Sequence, residues 1–417
     1  MPGHTLSGDF WKFWTGQTIS NLGSSFTFLA LPLIVFQLTG SAINLAITTA
    51  AFFLPYLLFG LVIGAWVDRV DRKRMMIAVD FGRAAVIASI PALSAVDALS
   101  VWWIYAATFL TSTLTIAFDS GEFAAVPSLV DRDDLVTANG RIQASYQAAQ
   151  FIGPILAGGL LGAGVPIEDV LLLDAASFLV SAAALGIVRG SFNPPDDPDR
   201  EPTSLRRDVV EGLRYVLSHP VLRNISLMMA MFNFVGTTTI AQLVLFAKER
   251  LDASNSEVGF LFSAGSAGIV VLGLLAGRIR RRLSFSVAAL GALMLYGAVT
   301  FVFAWTEVYW LALPLWGLVS GLGLFFNINT ISLRQEIVPS HMLGRVVSIA
   351  GVLAWSAIPL GTLLGGWVIE ATDDVALVYA AIGVLTFLIA FSFRFTALGH
   401  AEDYIEDRPE PVPQPAQ

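Results

Sequence analysis

The sequence predicts an all-α membrane protein built as two related bundles of six spanning helices. Three observations carry this expectation. Of the 417 residues, 55% are hydrophobic and only 13% are charged, where a soluble domain carries about 25% charge. Twelve apolar segments can be drawn along the chain, each near the ~20 residues that cross a bilayer. Two motifs also recur in the second half of the chain at almost the same offset.

The segments cover about residues 11–37, 42–67, 75–95, 100–125, 142–164, 169–188, 222–247, 256–277, 285–304, 308–333, 346–369 and 375–395. Between the sixth and seventh lies the longest polar stretch, Arg189 to Arg223. It opens with Asn193-Pro194-Pro195-Asp196-Asp197-Pro198, a linker composition. It continues as a short surface helix from Leu205 to Leu217, with Val209, Val210, Leu213 and Val216 as its apolar stripe. The expected domains are a bundle over 1–188, a linker with its amphipathic helix over 189–221, a second bundle over 222–396, and a disordered acidic, proline-rich tail over 397–417. The first residues lack a basic region and a small-residue cleavage site, so the first apolar run reads as a spanning helix rather than a signal peptide.

Loop charge sets the orientation. With the N-terminus inside, the cytoplasmic turns hold Arg69, Arg72, Lys73, Arg74, Arg132, Arg141, Arg278, Arg280, Arg281, Arg282, Arg334 and Arg345. The opposite face holds only Lys248 and Arg250, together with the acids Asp97, Glu168, Asp169, Glu307, Asp373 and Asp374. This is the positive-inside pattern with both termini in the cytoplasm, and it places the chain in the cell membrane. The surplus of eight negative charges comes largely from the linker and the tail, and implies no nucleic-acid partner.

The two halves repeat. GAWVDRVDRKR from Gly64 aligns with GLLAGRIRRRL from Gly273, and Pro154 to Gly159 aligns with Gly361 to Gly366. Parallel repeats of this kind place a substrate site at their interface near the membrane midplane. Cysteine is absent and the four histidines are far apart. This argues against disulfides, thiolate chemistry and a metal centre. No nucleophile–base constellation and no G-x-x-x-x-G-K-[ST] phosphate loop occurs, so neither an enzyme nor ATP drive is expected. No cofactor is expected either.

Several stretches resemble the major facilitator superfamily. Gly64-x-x-x-Asp68-Arg69-x-x-Arg72-Lys73-Arg74 is similar to that family's signature between the second and third helices, with Asp71 where the common form has a second glycine. Gly153-Pro154-x-x-x-Gly158-Gly159 is similar to its antiporter motif. Phe118-Asp119-Ser120, Val126-Pro127-Ser128-Leu129-Val130, Ala138-Asn139-Gly140, Asp174-Ala175-Ala176-Ser177-Phe178, Leu333-Arg334-Gln335-Glu336-Ile337-Val338-Pro339 and Leu343-Gly344-Arg345-Val346 resemble the macrolide-efflux branch. The resemblance covers about residues 10 to 395. It implies the two-bundle transporter fold, a monomer embedded in lipid, small-molecule cargo and proton antiport.

Four groups of residues are candidates for mechanism. The first is a cytoplasmic gate of Gly64, Asp68, Arg69, Arg72 and Arg74. Asp68 can accept hydrogen bonds from a helix N-terminus, and the resemblance places that partner near Gly344 and Arg345. A basic loop serving topology alone is the plainer reading. The repeat has Gly277 in place of Asp68, so the two turns are not equivalent. The second group is Asp80, Arg83, Asp119 and Glu122 inside the third and fourth spans. Each helix carries its pair three residues apart, on one face. Charge inside a membrane demands partners, so a four-member network is expected, with Asp119 or Glu122 as proton carrier. A static salt bridge is the alternative, and the basic residue common in the family's fourth helix is missing.

The third group is a seam of Gly153, Pro154, Gly158, Gly159, Gly361 and Gly365, small residues that let helices approach closely. The resemblance implies a leak-sealing role, while generic packing is the plainer reading. The fourth is a cavity wall of Gln17, Asn21, Asn233, Thr237, Gln242, Asn327 and Asn329, on helices that line the centre in this superfamily. Neutral amides among phenylalanines suit an amphipathic cargo, but amides also bond between helices. Together these predict an exporter of hydrophobic or amphipathic, drug-like or macrolide-like molecules. A dedicated metabolite, siderophore or lysolipid transporter and a non-transporting membrane sensor or scaffold are the alternatives.

Overall fold

The computed structural model describes residues 6–67, 70–131, 134–190, 192–193, 205–280, 282–338 and 340–406. The first half holds α1 (Gly8–Thr39), α2 (Ala42–Val67), α3 (Arg72–Ser94), α4 (Val101–Leu129), α5 (Leu135–Gly162) and α6 (Ile167–Ile187). A short helix, α7 (Leu205–Ser218), leads into the second half. That half holds α8 (Pro220–Ala241), α9 (Leu243–Arg250), α10 (Asn255–Arg280), α11 (Phe285–Ala304), α12 (Tyr309–Ile337), α13 (Ser340–Trp355), α14 (Ala357–Thr372), α15 (Val375–Phe393) and α16 (Asp403–Glu406).

Side-chain caps fix several helix starts. Ser7 accepts from Phe10 N, Asp71 from Arg74 N, Ser100 from Trp103 N and Asp374 from Leu377 N, each satisfying a donor that the helix leaves free. Gly40, in the left-handed region at φ 59°, turns the chain from α1 into α2.

Eleven of the described helical passes are long and apolar enough to cross a membrane. Helix α5 is long enough but too polar, because Gln143, Gln147 and Gln150 line one of its faces. With α5 counted, and with α8–α9 and α13–α14 each read as one pass, the chain makes the twelve expected passes. The second of these breaks has a local cause: Pro359 has no N–H to bond the carbonyl of Trp355, so the helix interrupts at Ser356.

Within the first half, α1 packs on α5 and α6, α3 on α4 and α6, and α2 on α4. Within the second, α10 packs on α12, α11 on α12 and α15, and α8 on α14 and α15. Two strips join the halves: α2 against α14, and α5 against α10. The ends of the bundles differ. The basic end carries Arg72, Lys73, Arg74, Arg141, Arg278 and Arg334, and the acidic end carries Asp97, Glu168, Glu307 and Asp373.

Hydrogen bonds between the halves, among the described residues, run only from the acidic end to mid-membrane. Glu370 accepts from Ser41 Oγ (2.8 Å) and Ile43 N (3.2 Å), Gln242 Nε2 donates to Ala42 O (2.8 Å), and Ser266 Oγ donates to Gln150 O (2.9 Å). Phe28 and Phe262 meet edge to face at 5.6 Å on the same side. Toward the basic end α5 is exposed on several sides, at Asn139, Gly140, Arg141, Gln143, Ala144 and Tyr146, whereas Gly153, Pro154, Ala157 and Gly158 are buried. Among the described residues, the halves are therefore joined at the acidic end and part around the exposed face of α5 toward the basic end.

The tail departs from expectation. Residues 397–400 form a 3-10 turn and 403–406 form α16. Leu398 and Ala401 are fully buried. Glu402 accepts from both Ser286 N (2.9 Å) and Ser286 Oγ (2.7 Å). The second bundle thus extends beyond residue 396, held by a carboxylate at the start of α11. Residues 407–417 lie outside the described set. In α7, Val216 is buried and Leu213 half-buried, but Val210 is exposed; the side chain of Val209 is outside the described set.

Candidate functional site

Among the described residues, the charged residues of α3 and α4 are coupled through space, but only one pair of them is bonded directly. Asp80 and Arg83 pair with each other one helical turn apart, both buried. Ser181 Oγ of α6 donates to Asp80 Oδ2 (2.6 Å), and Gln17 Nε2 of α1 donates to Ser181 Oγ (3.0 Å). The Arg83 guanidinium lies between the rings of Phe118 (4.2 Å) and Phe178 (4.3 Å), a cation–π clamp. This core locks α1, α3, α4 and α6 together.

Asp119 and Glu122 make no direct bond to this core among the described residues, though both lie within electrostatic reach of Arg83. Successive helix residues point about 100° apart, so placing Phe118 against Arg83 turns Asp119 away from the bundle core. Asp119 is exposed and lies within electrostatic reach of the phenols of Tyr56 and Tyr146. Tyr56 in turn meets Trp355 of the other half, ring to ring at 6.1 Å. Asp119 therefore faces the cleft. Glu122 is half-buried on the same face, and its Oε1 is sealed from water without a hydrogen-bond partner. Neither carboxylate has a salt bridge among the described residues. The adjacency of Phe118 to Asp119 was the sequence signal for this split.

The second half lacks these charges. Helices α4 and α12 are both 29 residues long. Tyr309 stands 208 positions after Val101, and Ile337 stands 208 after Leu129. At that offset Asn327 corresponds to Asp119, Thr330 to Glu122 and Arg334 to Val126.

The expected cavity wall is partly interior. Gln17 is spent on Ser181. Gln242 is fully buried and bonds Ala42 across the halves. Asn329 is buried and donates to Phe325 O of its own helix. Asn233 Nδ2 bonds Ala354 O (2.9 Å), and Thr237 Oγ1 bonds the backbone of Asn233 (2.8 Å). Asn21 and Asn327 are half-buried, and no side-chain hydrogen bond occupies them among the described residues. Asp174 is a fold residue, buried and accepting from Thr27, Ser24 and Ser177.

The glycine seam divides by function. A methyl group on Gly153 would stand 1.6 Å from Ser25 Oγ of α1, and one on Gly361 would stand 1.9 Å from Phe234 O of α8. These two hold each half together. A methyl on Gly158 would stand 3.3 Å from Gly259 Cα of α10, and one on Gly366 would stand 2.6 Å from Ala46 Cβ of α2. These two let the halves touch each other. Gly365 packs on Thr238 within the second half, and Gly159 faces open space. The interfacial counterpart of Gly158 is therefore Gly366, not Gly365, and Gly159 takes no part in the seam.

Of the gate residues, Asp68 and Arg69 lie outside the described residues. Gly64 lies in the last turn of α2. Gly344 and Arg345 lie early in α13, their side chains outside the described set. Arg72 is buried, its Nη1 bonding Phe192 O (3.1 Å) and its N–H bonding Asn193 Oδ1 (3.0 Å). It ties the hinge to the segment after α6, within the same half. Arg74 is exposed beside Asp71, at 3.5 Å.

Comparison with known proteins agrees with this architecture. Residues 6–415 match the family described as transmembrane secretion effector, MFS_3. The multidrug efflux pump Tap of Mycolicibacterium fortuitum is 29% identical over 367 residues, covering 84% of this chain and 86% of that protein. Macrolide efflux protein A of Streptococcus pyogenes is 25% identical over 368 residues, covering 85% and 88%. Among solved structures, a bacterial homologue of the human lysosomal transporter Spinster, inward-facing and occupied, superposes with a TM-score of 0.75 at 14% identity, covering 97% and 98%. A bacterial homologue of the iron transporter ferroportin, inward-facing, gives 0.71 at 18% identity, covering 94% and 100%. The two-bundle fold, the charge-bearing cleft and the full-length match lead to one conclusion: this chain belongs to the transmembrane secretion effector family of major facilitator membrane transporters.

Proposed function

We propose that the protein exports hydrophobic or amphipathic small molecules in exchange for protons, by alternating access of one central cleft. The basic end is read as cytoplasmic, on the positive-inside pattern, so the conformation described is open to the cytoplasm. The observation that carries the reading is the pair of carboxylates, Asp119 and Glu122, on the cleft wall with no salt bridge among the described residues, set against neutral Asn327 and Thr330 in the repeat.

A carboxylate that faces a water-filled cleft can exchange protons with each side in turn. Its charge is costly while the cleft is dry or occupied by apolar cargo. Proton uptake from outside removes that cost and favours closure around an empty site, and release to the cytoplasm restores the charge. The efflux pumps similar to this chain support the direction of transport and the drug-like cargo. The test is efflux of a fluorescent dye or a macrolide from proteoliposomes, with and without an imposed proton gradient, for the natural chain and for Asp119→Asn and Glu122→Gln. Efflux that ignores both the gradient and these substitutions overturns the assignment.

A further inference from the structure

Arg334, in the last turn of α12, is only 5% exposed. Its one hydrogen bond among the described residues is from Nη2 to Met229 Sδ of α8, at 3.1 Å. A thioether is a weak, neutral acceptor, and no described carboxylate pairs with this guanidinium. The other buried arginines differ: Arg83 has Asp80 and two rings, and Arg72 has the carbonyl of Phe192. The last carbonyls of α12 supply a partial negative charge, yet the guanidinium bonds none of them. Its Nε and Nη1 make no hydrogen bond to any described residue. The donor fork therefore lacks an anion among the described residues.

The surroundings complete a recognisable chemistry. Met228 and Met229 are buried on α8, and Phe232 of α8 meets Phe326 of α12 at 5.7 Å. Within α8 itself the only ionisable side chain is Arg223, exposed near its start, and Glu336 of α12 is exposed. The corresponding place in the first half is Val126, so the cation belongs to one side of the cleft alone. A planar guanidinium with free parallel donors suits a carboxylate, phosphate or sulfonate, and the flanking methionines and aromatics suit an apolar body.

We propose that Arg334 is an anion-binding arm of the cleft, taking the acidic headgroup of an amphipathic molecule whose apolar part lies along α8 and α12. This names a cargo class and rests on the export reading for its role in transport. Binding itself is tested separately. The full-length protein in phosphatidylcholine nanodiscs is titrated at equilibrium, without a gradient, with 1-pyrenebutyrate and with its uncharged methyl ester, using empty discs as the blank. The expected result is that the acid binds at least about tenfold more tightly than the ester. Arg334→Gln then removes that preference and leaves ester affinity unchanged, while Arg334→Lys keeps part of it. No preference in the natural chain, including no binding of either probe, overturns the proposal. So does an equal loss for both probes in an Arg334→Gln protein whose thermal unfolding matches the natural chain.

If Arg334→Gln unfolds, Arg334→Met is measured instead and the same criterion applies. Adding phosphatidylglycerol to the discs separates two sources of the anion. Competition by this lipid assigns the site to a resident headgroup, and its absence assigns it to free cargo; both keep the anion site. Failure of proton-driven export leaves this binding result intact, and failure of the binding leaves the carboxylate test intact.

Discussion

Asp119 and Asn327 hold the same place in the two halves of this transporter, one a carboxylate and the other its neutral amide analogue. Helices α4 and α12 are equal in length and stand at a constant offset, so the difference is one of charge rather than of framework. The same holds three residues on, where Glu122 faces Thr330. On the proposed function, the half that carries these two acids is the one that would bind and release the proton. Asp119→Asn makes the halves alike at this position. We expect gradient-driven efflux to fall by an order of magnitude or more, roughly the size of losing a general proton carrier, while expression and thermal stability stay near those of the natural chain.

Asp80 behaves oppositely. It neutralises Arg83 in a sealed core, and its removal leaves a buried charge without a counter-ion, a loss of about 3–5 kcal/mol. Asp80→Asn should therefore lower the unfolding temperature and the yield of folded protein. Replacing both residues by apolar ones of similar volume should recover much of that stability. Thermal unfolding of detergent-purified protein checks both expectations.

The seam glycines give a sharp contrast. Gly158→Val drives a branched side chain into the backbone of α10, where Gly259 Cα already stands within 3.3 Å of a single added carbon. Its expected effect is separation of the halves at the acidic end and loss of transport, with overpacking on the order of 1–3 kcal/mol. Gly159→Ala meets nothing within 4 Å and should transport normally. Dye efflux normalised to expression distinguishes them.

At the acidic end Glu370 of α14 caps the start of α2 in the other half, accepting from Ser41 Oγ and Ile43 N. On the alternating-access reading, this bond is made while that end is closed and lost when it opens. Glu370→Ala removes a cap worth about 1 kcal/mol, enough to shift the closed-to-open ratio roughly fivefold toward opening. The chain contains no cysteine, so a pair of spin-labelled cysteines on α2 and α14 reports that shift by distance measurement without background.

The tail offers a pH test. Burial pushes the Glu402 carboxyl up, but hydrogen bonds from the Ser286 N–H and hydroxyl outweigh it and leave the group below the ordinary glutamate value. A lowered folded value means that Glu402 stabilises the docked tail above the ordinary glutamate value of 4.5, and that this contribution is lost as pH falls through the folded value. Glu402→Gln should abolish that acid-side component of tail docking. Proteolytic cleavage after residue 396, followed against pH, measures it.

Much of the architecture was legible because membrane insertion writes a strong pattern. The run Phe285–Ala304 was bounded on composition alone, and α2 likewise. Composition starts α5 at 142 rather than Leu135, since its first turns are polar and exposed. Composition predicts a disordered tail because Leu398 and Ala401 are only two apolar residues in an acidic stretch, too short a signal to mark a docked turn. Gln17 and Gln242 were readable as polar and membrane-embedded, but not which way they turn. That depends on helix rotation, fixed by Ser181 in one case and by the backbone of Ala42 in the other. The pairing of Asp80 with Arg83 follows from their spacing, while the turn of Asp119 away from them needs the position of Phe118.

The central claim, that protons drive export through Asp119 and Glu122, is tested most directly by efflux from proteoliposomes under an imposed proton gradient. The account predicts that the natural chain accumulates cargo against its concentration gradient and that the double variant Asp119→Asn, Glu122→Gln only equilibrates it. Equal uphill transport by both proteins would contradict it.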